Sequence, residues 1–168
     1  MDIALDSDVV IKMTKTSLKE AVTSAFTVCL PPEVHVECVE QGKQGGHPDA
    51  LRVEENIKRR RIHVRGTRKT GPAETIVRNL SLKGGEADLV RLHASGGVEV
   101  VVSDDRRFLN VLQTLRIPFA TSSSLIVALA KRDRIERGEA LGYLEKLAEY
   151  ISEEQYAEAR AAIQAERP

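Results

Sequence analysis

The stretch IALDSDVVI, residues 3–11, joins a short apolar run to two closely spaced carboxylates and then to more apolar residues. The run IAL predicts a buried strand that ends at Asp6. The residues after it predict a helix, with Asp6 or Ser7 as its N-cap. A strand that passes directly into a capped helix is typical of an alternating α/β fold.

The same pattern returns later in the chain, where the buried strand VEVVV ends on Ser103, Asp104 and Asp105. Shorter strand candidates are TVCL, IHVR and PFAT, and helical patterns separate them. Such alternation predicts a parallel sheet covered by helices, because parallel strands need crossover connections. If the first and fourth strands are neighbours, their carboxylates meet at one edge of the sheet.

Composition limits the classes of protein to consider. A length of 168 residues suits one domain, and 42% hydrophobic with 30% charged residues is typical of a globular protein. No apolar run approaches the ~20 residues of a membrane-spanning helix, and the N-terminal sequence lacks the pattern of a secretory signal. We therefore expect a cytoplasmic protein without a membrane partner. The two cysteines and four histidines show no metal-ligand spacing, which disfavours a zinc enzyme.

The net charge of zero conceals a basic segment at residues 58–69, KRRRIHVRGTRK. Such a run often forms a solvated face. Clustered Arg and Lys also bind nucleic-acid backbones by releasing counterions from the phosphates. Both interpretations remain open from the residues alone.

Acidic residues recur at four separate places, and a fold that gathers them would normally neutralise them with a hard divalent cation. Each place also has a structural explanation, because Asp6 and Asp104 can cap helices, Glu37 can be solvated and Glu86 can complement a helix dipole. Helix capping alone does not explain the whole ordered set. The four places are Asp6 with Asp8, Glu37, Glu86 with Asp88, and Asp104 with Asp105.

Four segments, in this order, resemble the PIN-domain family. LDSDVVI is similar to the strand-to-helix opening of PIN domains, and the other three are similar to segments of one PIN branch. These three are PPEVHVE, which ends on Glu37, GGEADLVRLHA, which contains Glu86, and VVSDDRRF, in which Ser103 replaces a threonine and Asp105 is the expected acid.

The resemblance implies a three-layer α/β/α sandwich with a central parallel sheet over residues 1–150, and a helical tail, residues 151–168, packed on the same domain. It implies a ribonuclease dependent on Mg²⁺ or Mn²⁺, acting as a toxin of a toxin–antitoxin pair or as an RNA-processing factor. The expected partners are RNA, an antitoxin protein and a second copy of the chain.

The resemblance also assigns roles to individual residues. Many family members carry Asp where Glu86 stands, so Asp88 is an alternative ligand, as is Asp104 beside Asp105. The implied catalytic and metal-binding acids are Asp6, Glu37, Glu86 and Asp105, with Ser7, Asp8 and Ser103 as polar support. Independently of the resemblance, the clustering of basic residues predicts that RNA phosphates are held by Arg59, Arg60, Arg61, Arg106 and Arg107.

Two other functions fit part of the sequence. DSDV and VVSDD also resemble the acidic motifs of haloacid-dehalogenase-type phosphatases, with Asp6 as nucleophile and Asp8 as general acid. That family inserts a glycine-containing flap after the first motif, whereas a helical pattern follows Asp8 directly here, and Glu37 and Glu86 gain no role. A non-catalytic RNA- or protein-binding module with the same fold is the third possibility.

Overall fold

A five-stranded parallel sheet forms the centre of the protein, for which a computed structural model describes residues 1–69 and 71–165. The strand order is β3-β2-β1-β4-β5, with all neighbouring pairs parallel. The strands are β1 (Asp2–Leu5), β2 (Thr27–Leu30), β3 (Ile62–Val64), β4 (Val100–Val102) and β5 (Phe119–Ala120).

Helices fill every connection between strands and follow the last one. None of them, over the residues described, is both long enough and apolar enough to cross a membrane. The α-helices are α1 (Ser7–Lys15), α2 (Lys19–Ala25), α3 (Pro32–His35), α4 (Gly42–Gln44), α5 (Pro48–Lys58), α6 (Pro72–Asn79), α7 (Gly84–Ala94), α8 (Arg106–Thr114), α9 (Ser122–Lys131), α10 (Arg137–Leu147) and α11 (Glu153–Gln164). A π-helix, Val36–Gln41, joins α3 to α4, and a 3-10 turn, Ala148–Tyr150, follows α10.

Two hydrophobic cores lie on the two faces of the sheet. Successive side chains of a strand point to opposite faces. Accordingly, Ile3 and Leu5 of β1 belong to one core, with α1 and α9, whereas Ala4 belongs to the other, with α7 and α8. The predicted three-layer α/β/α sandwich with a central parallel sheet is therefore confirmed.

The C-terminal helix packs on the rest of the domain. Ala159 and Ile163 of α11 are buried in the same core as β1, and α11 contacts both α9 and α10. Residues 166–168 of the tail expected at 151–168 lie outside the described residues.

The register between β1 and β4 places their carboxyl ends side by side. Leu5 pairs with Val102, and the amide of Asp6 donates to the carbonyl of Val102 at 3.0 Å. Residues that directly follow these two strands therefore lie at one edge of the sheet, although about a hundred residues of chain separate them.

The sequence pattern predicts that Gly42 closes the helix that begins with PPEVHVECVEQ, and the structure shows that this is wrong. Gly42 has helical angles, and the helical segment continues to Gln44 before Gly46 turns the chain with a φ of 71°. A Cβ on Gly42 would lie 2.9 Å from the Cβ of Ala50. The glycine thus permits a close approach to α5 and does not end the helix.

Candidate active site

An open cleft of about 330 Å³ lies at the carboxyl edge of β1 and β4. It brings together the four acids that the PIN resemblance implies, each from a different segment of the chain. The lining residues are Asp6, Ser7, Asp8, Glu37, Lys83, Gly84, Gly85, Glu86 and Asp105.

Asp6 and Asp105 each cap a helix while lining the cleft. Asp6 Oδ1 accepts a hydrogen bond from the Val9 amide at 2.8 Å, at the start of α1. Asp105 Oδ1 accepts one from the Phe108 amide at 2.7 Å, at the start of α8. These bonds satisfy amides that the helices leave unpaired, and they fix the direction of both carboxyl groups. Capping and a place in the cleft are therefore compatible roles.

Ser103 connects the two capping acids. Its side chain is completely buried and hydrogen-bonds to Asp6, while its Oγ accepts the Asp105 amide at 3.1 Å. A hydroxyl can donate one bond and accept others, so a single serine orients both strand ends. Ser103 thus holds two residues that line the cleft, but it does not line the cleft itself.

The environment of Asp6 disfavours its negative charge. Burial is the main cause, and the nearby carboxylates of Asp104 and Asp8 add to it, so that the pKa of Asp6 rises to about 6. Hydrogen bonds from Ser103 and the Val9 amide only partly offset these effects. A cation bound at Asp6 would relieve the same electrostatic cost.

Glu37 reaches the cleft from the π-helix and lies over the turn at the start of α7. Gly84 has a φ of 53°, and a Cβ there would lie 3.3 Å from Glu37 Oε1. A Cβ on Gly85 would lie 2.9 Å from Val34 Cγ2. The two glycines therefore allow the start of α7 to approach the segment that carries Glu37. π-Helical turns are rare and frequently occur at functional sites.

Glu86 forms an ion pair at the rim of the cleft. Its two carboxylate oxygens each lie 3.0 Å from a terminal nitrogen of Arg107, whose side chain is largely exposed. Arg107, which we expected to contact RNA, is thus attached to one of the expected metal ligands. Arg106 is exposed in the first turn of α8, directly after Asp105.

Asp8 and Asp104 share Lys12, which is nearly buried. The Nζ atom of Lys12 lies 2.5 Å from Asp8 and 3.1 Å from Asp104. Burial opposes the charge of Lys12, but the two carboxylates outweigh it and raise the lysine's pKa. Asp104 also accepts bonds from the amide and hydroxyl of Ser122, so its contacts hold β4 to α1 and α9.

Asp88, the alternative to Glu86, faces a different environment. Its Oδ1 accepts bonds from Arg91 at 2.9 Å and from Thr67 at 3.1 Å, and the side chain is buried. Arg91 in turn pairs with Glu74 of α6. In the described part of the chain, neither Asp88 nor Asp104 lines the cleft.

Arg59, Arg60 and Arg61 lie far from these acids in the fold. They immediately precede β3, so they are at the amino ends of the parallel strands, opposite the cleft. Arg59 and Arg61 line a separate pocket, and Arg59 pairs with Glu55 at 2.7 Å.

The donor chemistry of the cleft fits a hard divalent cation, because its acids provide carboxylate oxygens. The side-chain positions nevertheless keep these acids apart. Within residues 1–69 and 71–165, no three His, Cys, Asp or Glu side chains form a compact metal-ligand group. Arg107 holds Glu86 and Lys12 holds Asp8, so Asp6, Glu37 and Asp105 remain the acids without such a cation partner in the described residues.

Two lysines near the acids were not predicted from the sequence. Lys83 lines the cleft and immediately precedes the two glycines in sequence. Lys12 does not line the cleft but pairs with Asp104, next to Asp105. The spacing of Asp8 and Lys12 along α1 could have indicated their ion pair. No comparable local signal connects Lys12 with Asp104, which is 92 residues away.

Comparison with known proteins identifies the family to which this arrangement is similar. A family model described as a PIN domain matches residues 2–165. No curated protein and no solved structure gives a significant match.

Asp104 and Asp105 should differ in their effects on stability although they are adjacent. Asp104→Asn should lower the free energy of unfolding by about 1 to 3 kcal/mol, because it breaks a nearly buried ion pair with Lys12. Asp105→Asn should change it by less than about 0.5 kcal/mol, because asparagine caps a helix as well as aspartate does. Urea denaturation measures both, and equal losses would contradict the structural role given to Asp104.

Asp6→Asn should stabilise the metal-free protein at high pH. The folded chain retains the Asp6 proton up to about pH 6, whereas the unfolded chain releases it near the ordinary pKa of 3.8. The free energy of unfolding therefore falls as the pH rises between these values, by up to about 3 kcal/mol. Asparagine keeps the helix cap without the charge. In EDTA, urea denaturation should show a gain of about 1 to 3 kcal/mol at pH 8 and little change at pH 4.

Lower stability of Asp6→Asn at pH 8 would contradict this prediction. If Asp6→Asn were less stable than the native chain at pH 8, the ionised carboxylate would be contributing stability, and the electrostatic cost assigned to it would be wrong.

Proposed function

Because the chain belongs to the PIN-domain family, we propose that its acidic cleft hydrolyses RNA phosphodiester bonds with Mg²⁺ or Mn²⁺ as cofactor. The observation that carries this proposal is the convergence of Asp6, Glu37, Glu86 and Asp105 in one cleft. Solvated surface acids have no reason to meet at the carboxyl edge of a sheet, where ligands bind in open parallel α/β folds.

Asp6, Glu37 and Asp105 are the residues that would hold the cation, and Glu86 would join them on leaving Arg107. When bound, the cation supplies an activated water and stabilises negative charge on the phosphate. Helix capping holds Asp6 and Asp105 in place, which limits the reorganisation that cation binding requires. Above about pH 6 Asp6 is ionised and therefore able to serve as a ligand.

The cations around the cleft suit a negatively charged polymer. Arg107 exchanges Glu86 for a phosphate oxygen, a contact that guanidinium groups make well. Lys83 lines the cleft, and the exposed Arg106 directly follows Asp105 in the chain. Aromatic residues make up 4% of the chain and tryptophan is absent, so recognition relies on the charge and shape of the backbone more than on stacking with bases.

A toxin and an RNA-processing factor would use this chemistry in the same way. We therefore propose the reaction, with RNA as the substrate, and this reaction is compatible with either cellular role. An antitoxin or a second copy of the chain would act as a regulatory partner.

Substitution of the cleft acids should abolish cleavage without unfolding the protein. Asp6→Asn and Asp105→Asn should each lower the Mn²⁺-dependent rate on single-stranded RNA by about 100-fold or more, because each removes an anionic ligand. Both variants keep their helix caps. The measurement is a cleavage time course on end-labelled RNA with protein freed of contaminating nuclease.

Glu158→Gln is the matched control, since Glu158 is exposed on α11 and lies outside the cleft lining. It should retain native activity. Equal cleavage by native protein, Asp6→Asn and Asp105→Asn would refute the proposal, and so would cleavage that EDTA leaves unchanged.

Arg107→Ala should strengthen metal binding. Arg107 competes with the cation for Glu86, and an exposed ion pair contributes up to about 1 kcal/mol, so the half-saturating Mn²⁺ concentration should fall about two- to fivefold. A thermal-shift titration without RNA measures this effect, because a bound ion raises the melting temperature by mass action. Arg106→Ala is the control, and weaker Mn²⁺ binding by Arg107→Ala would contradict the competition.

A further inference from the structure

A second concave region, which we call the basic pocket, lies at the amino ends of the strands. Its volume is about 530 Å³, larger than the acidic cleft. The end of α1, the start of α2, one face of α5 and the residues that follow α5 form its walls, contributing Thr14, Lys19, Arg52, Asn56, Arg59 and Arg61. Asp6 caps the other end of α1, so the two sites lie at opposite ends of this helix.

Lys19 is the least exposed cation of the basic pocket, with 4% of its surface accessible. Its ammonium group makes long contacts, 3.4 Å to the carbonyl of Arg52 and 3.7 Å to Glu20, and no shorter polar contact to a described residue. Burial, followed by the positive charges of Arg52 and Arg61, lowers the pKa of Lys19 in spite of Glu20. A buried cation with weak partners is costly, and a bound anion would reduce that cost.

The charges of the basic pocket do not balance. Four cations (Lys19, Arg52, Arg59 and Arg61) face two carboxylates (Glu20 and Glu55), an excess of two positive charges. Glu55 pairs with Arg59, and Glu20 lies near Lys19.

Arg52 and Arg61 thereby remain as exposed guanidinium groups without an ion pair to any described residue. The neighbouring Arg60 is also exposed. Two exposed guanidinium groups in one pocket with a buried ammonium match the chemistry of phosphate groups.

We propose that the basic pocket binds backbone phosphates of RNA at a distance from the acidic cleft, an inference that rests on the proposed function for the identity of its ligand. The nine residues of α1 span about 14 Å. At a rise of about 3.4 Å per nucleotide, an RNA must exceed about four nucleotides to contact both sites. A shorter RNA contacts one site at a time, whereas a longer RNA contacts both.

RNA binding in EDTA tests this inference without requiring cleavage. Fluorescence anisotropy compares the native chain with Arg52→Ala/Arg61→Ala on a 20-nucleotide and a 4-nucleotide single strand. Loss of two phosphate contacts should weaken binding of the 20-mer at least about tenfold and reduce its salt slope by about 1.4. Binding of the 4-mer, which can occupy the basic pocket alone, should weaken as well.

Arg78→Ala/Arg160→Ala is the matched control, because it removes the same charge from two exposed arginines that line neither site. An equal loss in this control would show a general charge effect and overturn the inference, as would unchanged binding of the 20-mer by Arg52→Ala/Arg61→Ala. Circular dichroism verifies that all variants fold.

Inorganic phosphate distinguishes RNA from a small phosphate ligand. If millimolar phosphate stabilises the native chain but not Arg52→Ala/Arg61→Ala, and 20-mer binding is the same for both, the basic pocket serves a free phosphate and the RNA inference fails. If the 20-mer binds as expected but is never cut when Mn²⁺ is added, the proposed function fails while the basic pocket stands.

Discussion

The pairing of β1 with β4 is the constraint on which the acidic cleft depends. β1 occupies the middle of the sheet, with β2 on one side and β4 on the other. The chain therefore crosses from one half of the sheet to the other between β3 and β4. The hydrogen bond from the Asp6 amide to Val102 fixes the last step of that pairing. A shift of one residue in this register would reverse the faces of the strand and separate Asp6 from Asp105.

The carboxylates fall into two groups. Some pair with cations inside the protein and have a structural role, and others have no such partner among the described residues and could bind a metal ion. Asp104 has Lys12 and Ser122, and Asp88 has Arg91 and Thr67, so both are satisfied inside the protein. Among the described residues Asp6 has no such cation partner, and burial, with a smaller effect of the neighbouring carboxylates, raises its pKa. A site that carries an electrostatic cost in the free protein is common where function needs it, and the fold tolerates the cost because helix capping and Ser103 hold Asp6 in position.

Local chemistry explains how much of this arrangement the sequence could predict. The strand endings at Asp6 and Asp105, their helix caps and the shared edge of the sheet follow from short-range patterns and the geometry of parallel strands. The burial of Asp88 against Arg91 does not, because it depends on how α6 and α7 pack. The prediction for Gly42 fails for a similar reason: a glycine that ends a helix and one that permits a close contact look alike in sequence.

The π-helix at Val36–Gln41 makes the length of this segment matter. A π-turn accommodates one more residue than an α-helical turn, and here it directs Glu37 to the cleft while Cys38 and Val39 remain buried. Deleting one residue would restore a regular helix but rotate the residues after the deletion by about 100° relative to those before it. Either Glu37 would then leave the cleft, or Cys38 and Val39 would leave the core. The π-helix should therefore tolerate insertions and deletions as poorly as a core strand does.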